Sequence, residues 1–208
     1  MNEFLEPDEP VDGGDFATPR DVLEVEGFRL SPQQRRLWLA GDGAFPATAR
    51  LEIRLVGPLD AGRLEAALRS LAQRHEILHT VFVRPPELKV AFQVVVEPST
   101  TTSWNQVDVG ALEEAEQETL VQEKLHSPLA ATDLEDGPTL QAVLYRRADR
   151  EHVLALRLPV LCADERSLLI LAQELSDAYH GALGTGPGAT RIEYRQFAAW
   201  QNGLLEQS

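Results

Sequence analysis

The sequence predicts an α/β fold, an α+β sandwich in which helices flank a mixed sheet. Three observations favour this class. The chain has 208 residues, of which 43% are hydrophobic and 25% charged, as is typical of a globular domain. Segments with alternating apolar residues indicate strands, and segments with apolar residues every three or four positions indicate helices. The two kinds of segment interleave, and one pair of strands is hairpin-like, which favours a mixed sheet.

The first half of the chain contains two predicted helices and two predicted strands. A Ser-Pro pair suits the N-cap and the first helical position, so a short helix is expected over Ser31–Ala40. Arg50–Val56 alternates polar and apolar residues, which predicts a strand with one buried side. Asp60 is the expected N-cap of the second helix, and β-branched residues predict a strand over Val90–Val96. The apolar stripe of the second helix consists of Leu64, Leu68, Leu71, His75 and Leu78.

The second half contains three predicted helices and a predicted hairpin. Ala111–Leu125 has five glutamates, which predicts a helix at the periphery with a thin apolar side. Thr139–Tyr145 and His152–Leu158 are predicted strands joined by a short Ala-Asp-Arg turn. Ser167–Tyr179 has leucines in helical register, and Ile192–Leu205 has one aromatic and apolar side, so both are predicted helices.

The N-terminal segment and one internal loop are expected to lack regular structure. Residues 1–27 contain nine acidic residues and one arginine, which gives this segment a charge of -8. It has little apolar surface to bury, so we expect a disordered tail that is dispensable for folding. Leu183–Thr190 contains three glycines and a proline and is an expected flexible loop. The folded domain is therefore expected over residues 28–208.

Charge and cysteine content exclude several classes of function. The formal net charge is -14, so the chain lacks the counterion release that drives nucleic-acid binding, and an anionic membrane is disfavoured as well. Cys162 is the single cysteine, which excludes an intramolecular disulfide and a cysteine-rich zinc site. The histidines show no ligand spacing, so neither a metal nor a cofactor is expected. No signal peptide or membrane span is recognisable, and a cytoplasmic protein is the default expectation.

Four motifs in a fixed order carry a resemblance to one family. The first has Ser-x-x-Gln before a short helix that ends in Leu-Trp, and the second ends in an Arg-His-Glu segment. The motifs are Leu30–Trp38, Leu55–Phe82, Asp133–Leu140 and Tyr194–Gln201. Together they resemble the condensation domain of non-ribosomal peptide synthetases, a member of the chloramphenicol-acetyltransferase-like superfamily. The resemblance runs from about Phe28 to Leu205 and implies a single lobe of that fold.

Two departures from the family decide the expected function. The family has two lobes with the active site between them, and the resemblance covers the first lobe. The family's catalytic motif is His-His-x-x-x-Asp-Gly, and by resemblance Pro159 and Val160 stand where the two histidines would be. Asp164 is retained, and Glu165 replaces the glycine. Because Val160 cannot accept a proton from an amine nucleophile, no catalytic residue is expected.

Four residues of these motifs are expected to be structural: Arg74, His75, His79 and Asp164. The resemblance implies that Asp164 holds its loop by ion pairing, but His79 stands where the family usually has arginine, so the cationic partner of Asp164 stays open. His75 lies on an apolar stripe, which favours a packed histidine with a satisfied ring over a catalytic one. Cys162 lies in an apolar segment and is expected to be an inert small hydrophobe.

These observations favour a catalytically degenerate condensation-like half-domain, a scaffold or recruitment module in non-ribosomal peptide biosynthesis. Its expected partner is a carrier protein, a synthetase module or a tailoring enzyme. Carrier proteins of this class are typically acidic, as is this chain, so affinity is expected from an apolar patch near Pro159, Val160 and Ser167. A lone lobe exposes an apolar face, so a homodimer or an obligate complex is expected.

Two alternatives remain open. The chain could be one half of a split acyltransferase or condensation enzyme that is completed by a separate C-terminal lobe. The missing histidines argue against this alternative, because by resemblance they belong to the lobe that is present. The chain could also be a truncated relic or an N-terminal piece of a longer protein.

Overall fold

Strands and helices alternate along the chain, and their bounds set the frame for the candidate site. The computed structural model describes residues 26–41, 47–129, 132–182 and 192–207. The described strands are β1 (Gly27–Arg29), β2 (Thr48–Val56), β3 (Thr80–Val83), β4 (Phe92–Val95), β5 (Thr102–Asp108), β6 (Leu140–Ala148) and β7 (Glu151–Pro159). The described helices are α1 (Pro32–Ala40), α2 (Ala61–Arg74), α3 (Glu114–His126), α4 (Thr132–Glu135), α5 (Glu165–Tyr179) and α6 (Tyr194–Glu206).

The described strands form two sheets. The larger sheet has the order β2-β7-β6-β5, in which β5 and β6 are parallel and the other pairs antiparallel. The smaller sheet has the order β1-β4-β3 and is antiparallel throughout. The predicted class, a mixed sheet with flanking helices, is confirmed.

Helices cover both faces of the larger sheet. Because successive side chains of a strand point to opposite faces, β7 contacts both helix layers. Leu154 and Leu156 of β7 pack in the main core with leucines of α2 and α5. Val153 and Ala155 point to the other face and pack with Val121 of α3. Strand β7 therefore lies in the middle of the sandwich, between α2 and α5 on one face and α3 on the other.

Most predicted elements are confirmed, with small shifts at their ends. Helices α1, α2, α5 and α6 and the hairpin of β6 and β7 lie where the sequence predicts them. Helix α2 ends at Arg74, so His75 is its C-cap rather than part of the helix. Helix α3 begins at Glu114, later than predicted, because a turn closed by Leu112 N and Val109 O at 3.0 Å precedes it. The sequence patterns do not predict the strands β1, β3 and β5 or the short helix α4.

Two predictions fall on residues that are not described. These are most of the predicted N-terminal tail, at residues 1–25, and the predicted loop Leu183–Thr190. Strand β1 begins at Gly27, one residue before the expected start of the folded domain. Among the described helices, none combines the length and the hydropathy that a bilayer span requires.

Candidate functional site

The candidate site is the turn that joins β7 to α5, where the resemblance places the family's catalytic motif. We call residues 159–164 the β7–α5 turn. Its backbone is tightly bonded: Cys162 N donates to Pro159 O at 2.8 Å, and Val160 N donates to Ala47 O at 2.9 Å. The turn therefore has one defined conformation directly beside the start of β2.

Most side chains of the β7–α5 turn point into the protein. Leu161 and Cys162 are only 4% and 8% exposed and pack with Trp38 in a small core. Pro159 is buried and Val160 is half-buried against the main core. Of the three residues at which the sequence predicts a partner-binding patch, Ser167 is exposed, Val160 is half-buried and Pro159 is buried, so the two apolar members expose little surface. Pro159 is buried because it is the last residue of β7 and lies opposite Thr48 of the neighbouring strand β2.

A buried amide, Gln34 of α1, holds the β7–α5 turn in place. Gln34 Nε2 donates to Leu161 O at 2.9 Å and lies 3.3 Å from Gln93 Oε1. Gln34 Oε1 accepts from Ser31 N at 3.0 Å, as part of the capping box that starts α1. Gln93 Nε2 in turn donates to Arg29 O at 3.0 Å. The Ser-x-x-Gln motif thus ties α1 to the turn, a role that the sequence does not reveal.

Asp164 is the N-cap residue of helix α5. Its Oδ1 accepts hydrogen bonds from Ser167 N at 2.8 Å and Ser167 Oγ at 2.6 Å. These bonds hold the pKa of the Asp164 carboxyl below its ordinary value. His79, the candidate replacement for its arginine partner, instead bonds through Nδ1 to Val96 O at 2.8 Å. Asp164 is therefore an N-cap in this structure, not the ion-pair partner of His79.

The histidine of the second motif joins two helices. His75 Nε2 bonds to Glu174 Oε2, and this contact links the end of α2 to α5. Both side chains are about one quarter exposed, at 25% and 22%. This is a packed, partnered histidine of the kind that the sequence favours. Arg74, beside it, is the half-buried last residue of α2.

The thiol of Cys162 has no environment that would activate it. Burial raises the pKa of the Cys162 thiol far above its ordinary value, so the thiol stays protonated at neutral pH. The expectation of an inert cysteine agrees with this burial. Among the described residues, no group of three His, Cys, Asp or Glu side chains is arranged to hold a metal ion.

Helix α6 is held against the domain by polar contacts at its N-terminal end. Tyr194 Oη lies 3.0 Å from Ser31 Oγ, and burial raises the pKa of Tyr194. Arg195 Nε pairs with Glu76 at 3.1 Å. Burial raises the pKa of Glu76, although the guanidinium of Arg195 acts in the opposite direction. The start of α6 is thereby tied to the N-cap of α1 and to the turn after α2.

The outer side of α6 is apolar and exposed. Three of its side chains are exposed: Phe197 by 39%, Trp200 by 59% and Leu204 by 50%. The ring centroids of Phe197 and Trp200 lie 5.8 Å apart. Ile192 and Leu205 extend this surface at the two ends of the helix. We call these five residues the α6 face. The structure thus provides an exposed apolar surface on α6, whereas the sequence predicts one at the β7–α5 turn.

Comparison with known proteins places these features in a family context. A family model for the Condensation domain matches residues 26–208. The nonribosomal peptide synthetase kk1B of Curvularia clavata is 33% identical over 176 residues, which cover 81% of this chain and 1% of the synthetase.

Solved structures agree with the sequence comparison. SgcC5 from Streptomyces globisporus is 26% identical with a TM-score of 0.68, over 86% of this chain and 42% of that protein. The X-domain from teicoplanin biosynthesis is 27% identical with a TM-score of 0.70, over 87% of this chain and 39% of that domain. An X-domain has also been solved in a complex with OxyB from teicoplanin biosynthesis. The chain thus spans about two-fifths of the length of these solved structures.

Proposed function

Because the chain belongs to the condensation domain family, whose model matches residues 26–208, we propose that it serves as a non-catalytic recruitment module in non-ribosomal peptide biosynthesis. The observation that carries the proposal is the pair Pro159 and Val160 in the β7–α5 turn, where the resemblance implies two histidines. In this proposal the chain binds and positions a protein of the assembly line, and other proteins form the amide bond.

The chemistry around the β7–α5 turn supports the absence of catalysis. Attack of an amine on a thioester needs a group that accepts the amine proton near neutral pH. Val160 has no such group, and burial keeps the Cys162 thiol protonated. Asp164 caps α5 through its bonds with Ser167, and the His75 ring is engaged by Glu174. These side chains are occupied by structural contacts rather than directed at a substrate.

The α6 face supports the recruitment part of the proposal. An exposed patch with two aromatic rings, Phe197 and Trp200, is typical of a surface that contacts another protein. An X-domain from teicoplanin biosynthesis forms a complex with OxyB, and we extend this kind of partnership to the present chain. The proposed partner is a carrier protein, a synthetase module or a tailoring enzyme.

A second candidate function is one half of a split acyltransferase. The chain matches about two-fifths of the solved structures, and the α6 face could contact a separate second lobe. The identities of Pro159 and Val160 argue against this candidate, because a second lobe would not restore the histidines that the resemblance assigns to this lobe.

The test of recruitment is complex formation. The purified chain is mixed with the carrier, synthetase-module and tailoring proteins encoded beside it, and binding is measured by gel filtration and calorimetry. One of them should form a stoichiometric complex, which the double variant Phe197→Ser, Trp200→Ser weakens by about tenfold or more. The matched control is Val56→Ser, which removes an apolar side chain that is 86% exposed on β2.

Three outcomes decide this test. A complex that is sensitive to the α6 variant and insensitive to the control supports the proposal. The absence of a complex with every candidate contradicts it. A homodimer of the chain that only the α6 variant dissociates would show that a second copy covers the α6 face, which also contradicts recruitment through that surface.

A further inference from the structure

A groove of about 380 Å³ lies away from the β7–α5 turn and is lined by positively charged but not by negatively charged side chains. It is bordered by β1, α1, the segment between β3 and β4, and the end of α6. Three cationic side chains line it, Arg29, Arg35 and Lys89, and no acidic residue is among its lining residues. The chain as a whole carries a formal charge of -14, so this local excess of positive charge runs against the overall composition.

The walls of the groove are fixed by hydrogen bonds from buried or partly buried side chains. Trp38 Nε1 donates to Lys89 O at 3.1 Å, and Asn202 Nδ2 donates to Leu30 O at 2.9 Å. Gln93 Nε2 donates to Arg29 O. The backbone beside two of the three cations is therefore held in place before any partner binds, which lowers the ordering cost of binding.

The groove also offers apolar contacts, and a carboxylate outside it pairs with one of its cations. Leu88 and Leu205 are 45% and 63% exposed among its lining residues. Glu206, at the end of α6, forms an ion pair with Arg29 at the rim. Arg35 and Lys89 are both exposed and have no ion-pair partner within the described part of the chain, so they are the cations available to an external carboxylate.

We propose that this groove docks an acidic amphipathic segment of a partner protein, whose carboxylates meet Arg35 and Lys89 and whose apolar side chains meet Leu88 and Leu205. The inference rests on the proposed recruitment function and specifies the partner's surface. A nucleic acid fits less well, because the rest of the chain is acidic and would repel it. The sequence predicts binding mainly through an apolar patch, whereas docking in this groove would make binding sensitive to salt.

The test uses a synthetic amphipathic peptide of glutamate and leucine at helical spacing, labelled with a fluorophore, and a matched peptide in which glutamine replaces glutamate. Binding to the full chain is measured by fluorescence anisotropy. The acidic peptide should bind about tenfold more tightly than the glutamine peptide, and its affinity should fall as salt rises from about 0.05 to 0.3 M. The double variant Arg35→Glu, Lys89→Glu should lose this preference.

The matched control is the double variant Lys124→Glu, Arg150→Glu, which makes the same charge change at two exposed positions outside the groove. Equal binding of the two peptides, or equal losses in the two double variants, would overturn the proposal. It would also be overturned if only a chain lacking residues 1–25 bound the peptide, because the chain's own acidic segment would then be the occupant.

The outcome separates this inference from the proposed function. If an assembly-line protein binds the Arg35→Glu, Lys89→Glu variant as tightly as the wild type, the groove assignment is wrong and recruitment stands. If no assembly-line protein binds the wild type, recruitment fails, while the peptide preference still decides whether the groove selects acidic segments.

Discussion

At the scale of single residues, Gln34 connects the opening motif to the candidate site. Its amide joins three backbone or side-chain groups, and the most informative is the bond to Leu161 O in the β7–α5 turn. A buried amide of this kind fixes a turn because the loss of one partner leaves the other unsatisfied away from water. The conformation of the turn therefore depends on α1 as much as on the strand and helix that it joins.

Replacement of Gln34 should destabilise the protein. Gln34→Ala leaves Leu161 O without its donor, and we expect the free energy of unfolding to fall by about 1–3 kcal/mol. Gln33→Ala, at the exposed neighbouring position of the same helix, should change it by less than about 0.5 kcal/mol. Urea denaturation of both variants checks the difference. Equal effects would mean that the Gln34 network does not support the turn.

Cys162 should give the stability of the protein a dependence on alkaline pH. Burial raises the pKa of the folded thiol above its unfolded value of about 9, so its contribution is fully present below that pH. Above it the unfolded chain loses the thiol proton first, and the free energy of unfolding falls by up to about 1.4 kcal/mol per pH unit. Urea denaturation between about pH 8 and 10 should show this fall in the wild type and a smaller one in Cys162→Ala. Identical slopes would contradict the buried, protonated thiol.

At the scale of elements, periodicity predicts the longer helices and the hairpin but not the short helix α4 or every strand. Strand β5 has four exposed residues at its end, over Asn105–Asp108, so its pattern gives no clear alternation. Its position is set by parallel pairing with β6, a long-range contact that local pattern cannot reveal. Strand β1 has three residues and exists because β4 pairs with it.

The candidate site likewise depends on long-range packing that local sequence patterns do not reveal. The motifs identify Pro159, Val160 and Asp164 as the positions of interest, because their order matches the family. They do not show that Pro159 is buried, since that depends on how far β7 pairs with β2. Nor do they identify Gln93 or Glu174, which reach the motif residues only through the packing of β4 and α5.

Substitution of the tryptophans of α1 and α6 tests whether the first is buried in the core and the second is exposed. Trp38 is 6% exposed and Trp200 is 59% exposed. Trp38→Ala should therefore lower the free energy of unfolding by about 3–5 kcal/mol, and Trp200→Ala by less than about 1 kcal/mol. Chemical denaturation measures both. A large loss of stability in Trp200→Ala would show that the Trp200 side chain is packed against the domain rather than exposed.

At the scale of the whole molecule, the β7–α5 turn differs from the α6 face and the cationic groove in how much of it is exposed. The β7–α5 turn is closed by buried side chains and helix caps, whereas the α6 face and the cationic groove are open. Leu205 contributes to both open surfaces, so a partner on one could extend onto the other. Exposed apolar and cationic surfaces are thus present on a lobe that has Pro159 and Val160, neither of them a proton acceptor, where the resemblance implies two histidines.

The most direct measurement is an amide-bond assay with the purified chain and carrier proteins loaded with donor and acceptor thioesters. We expect no product above the uncatalysed rate from the wild type, because Pro159 and Val160 have no group that accepts a proton. We also expect none from Pro159→His, Val160→His, because these 208 residues match only about two-fifths of the solved structures and positioning of the acyl donor supplies most of the rate. A fused two-lobe condensation domain serves as the positive control for the loaded carriers. Amide product formed by the wild-type chain above the uncatalysed rate would contradict a non-catalytic recruitment role.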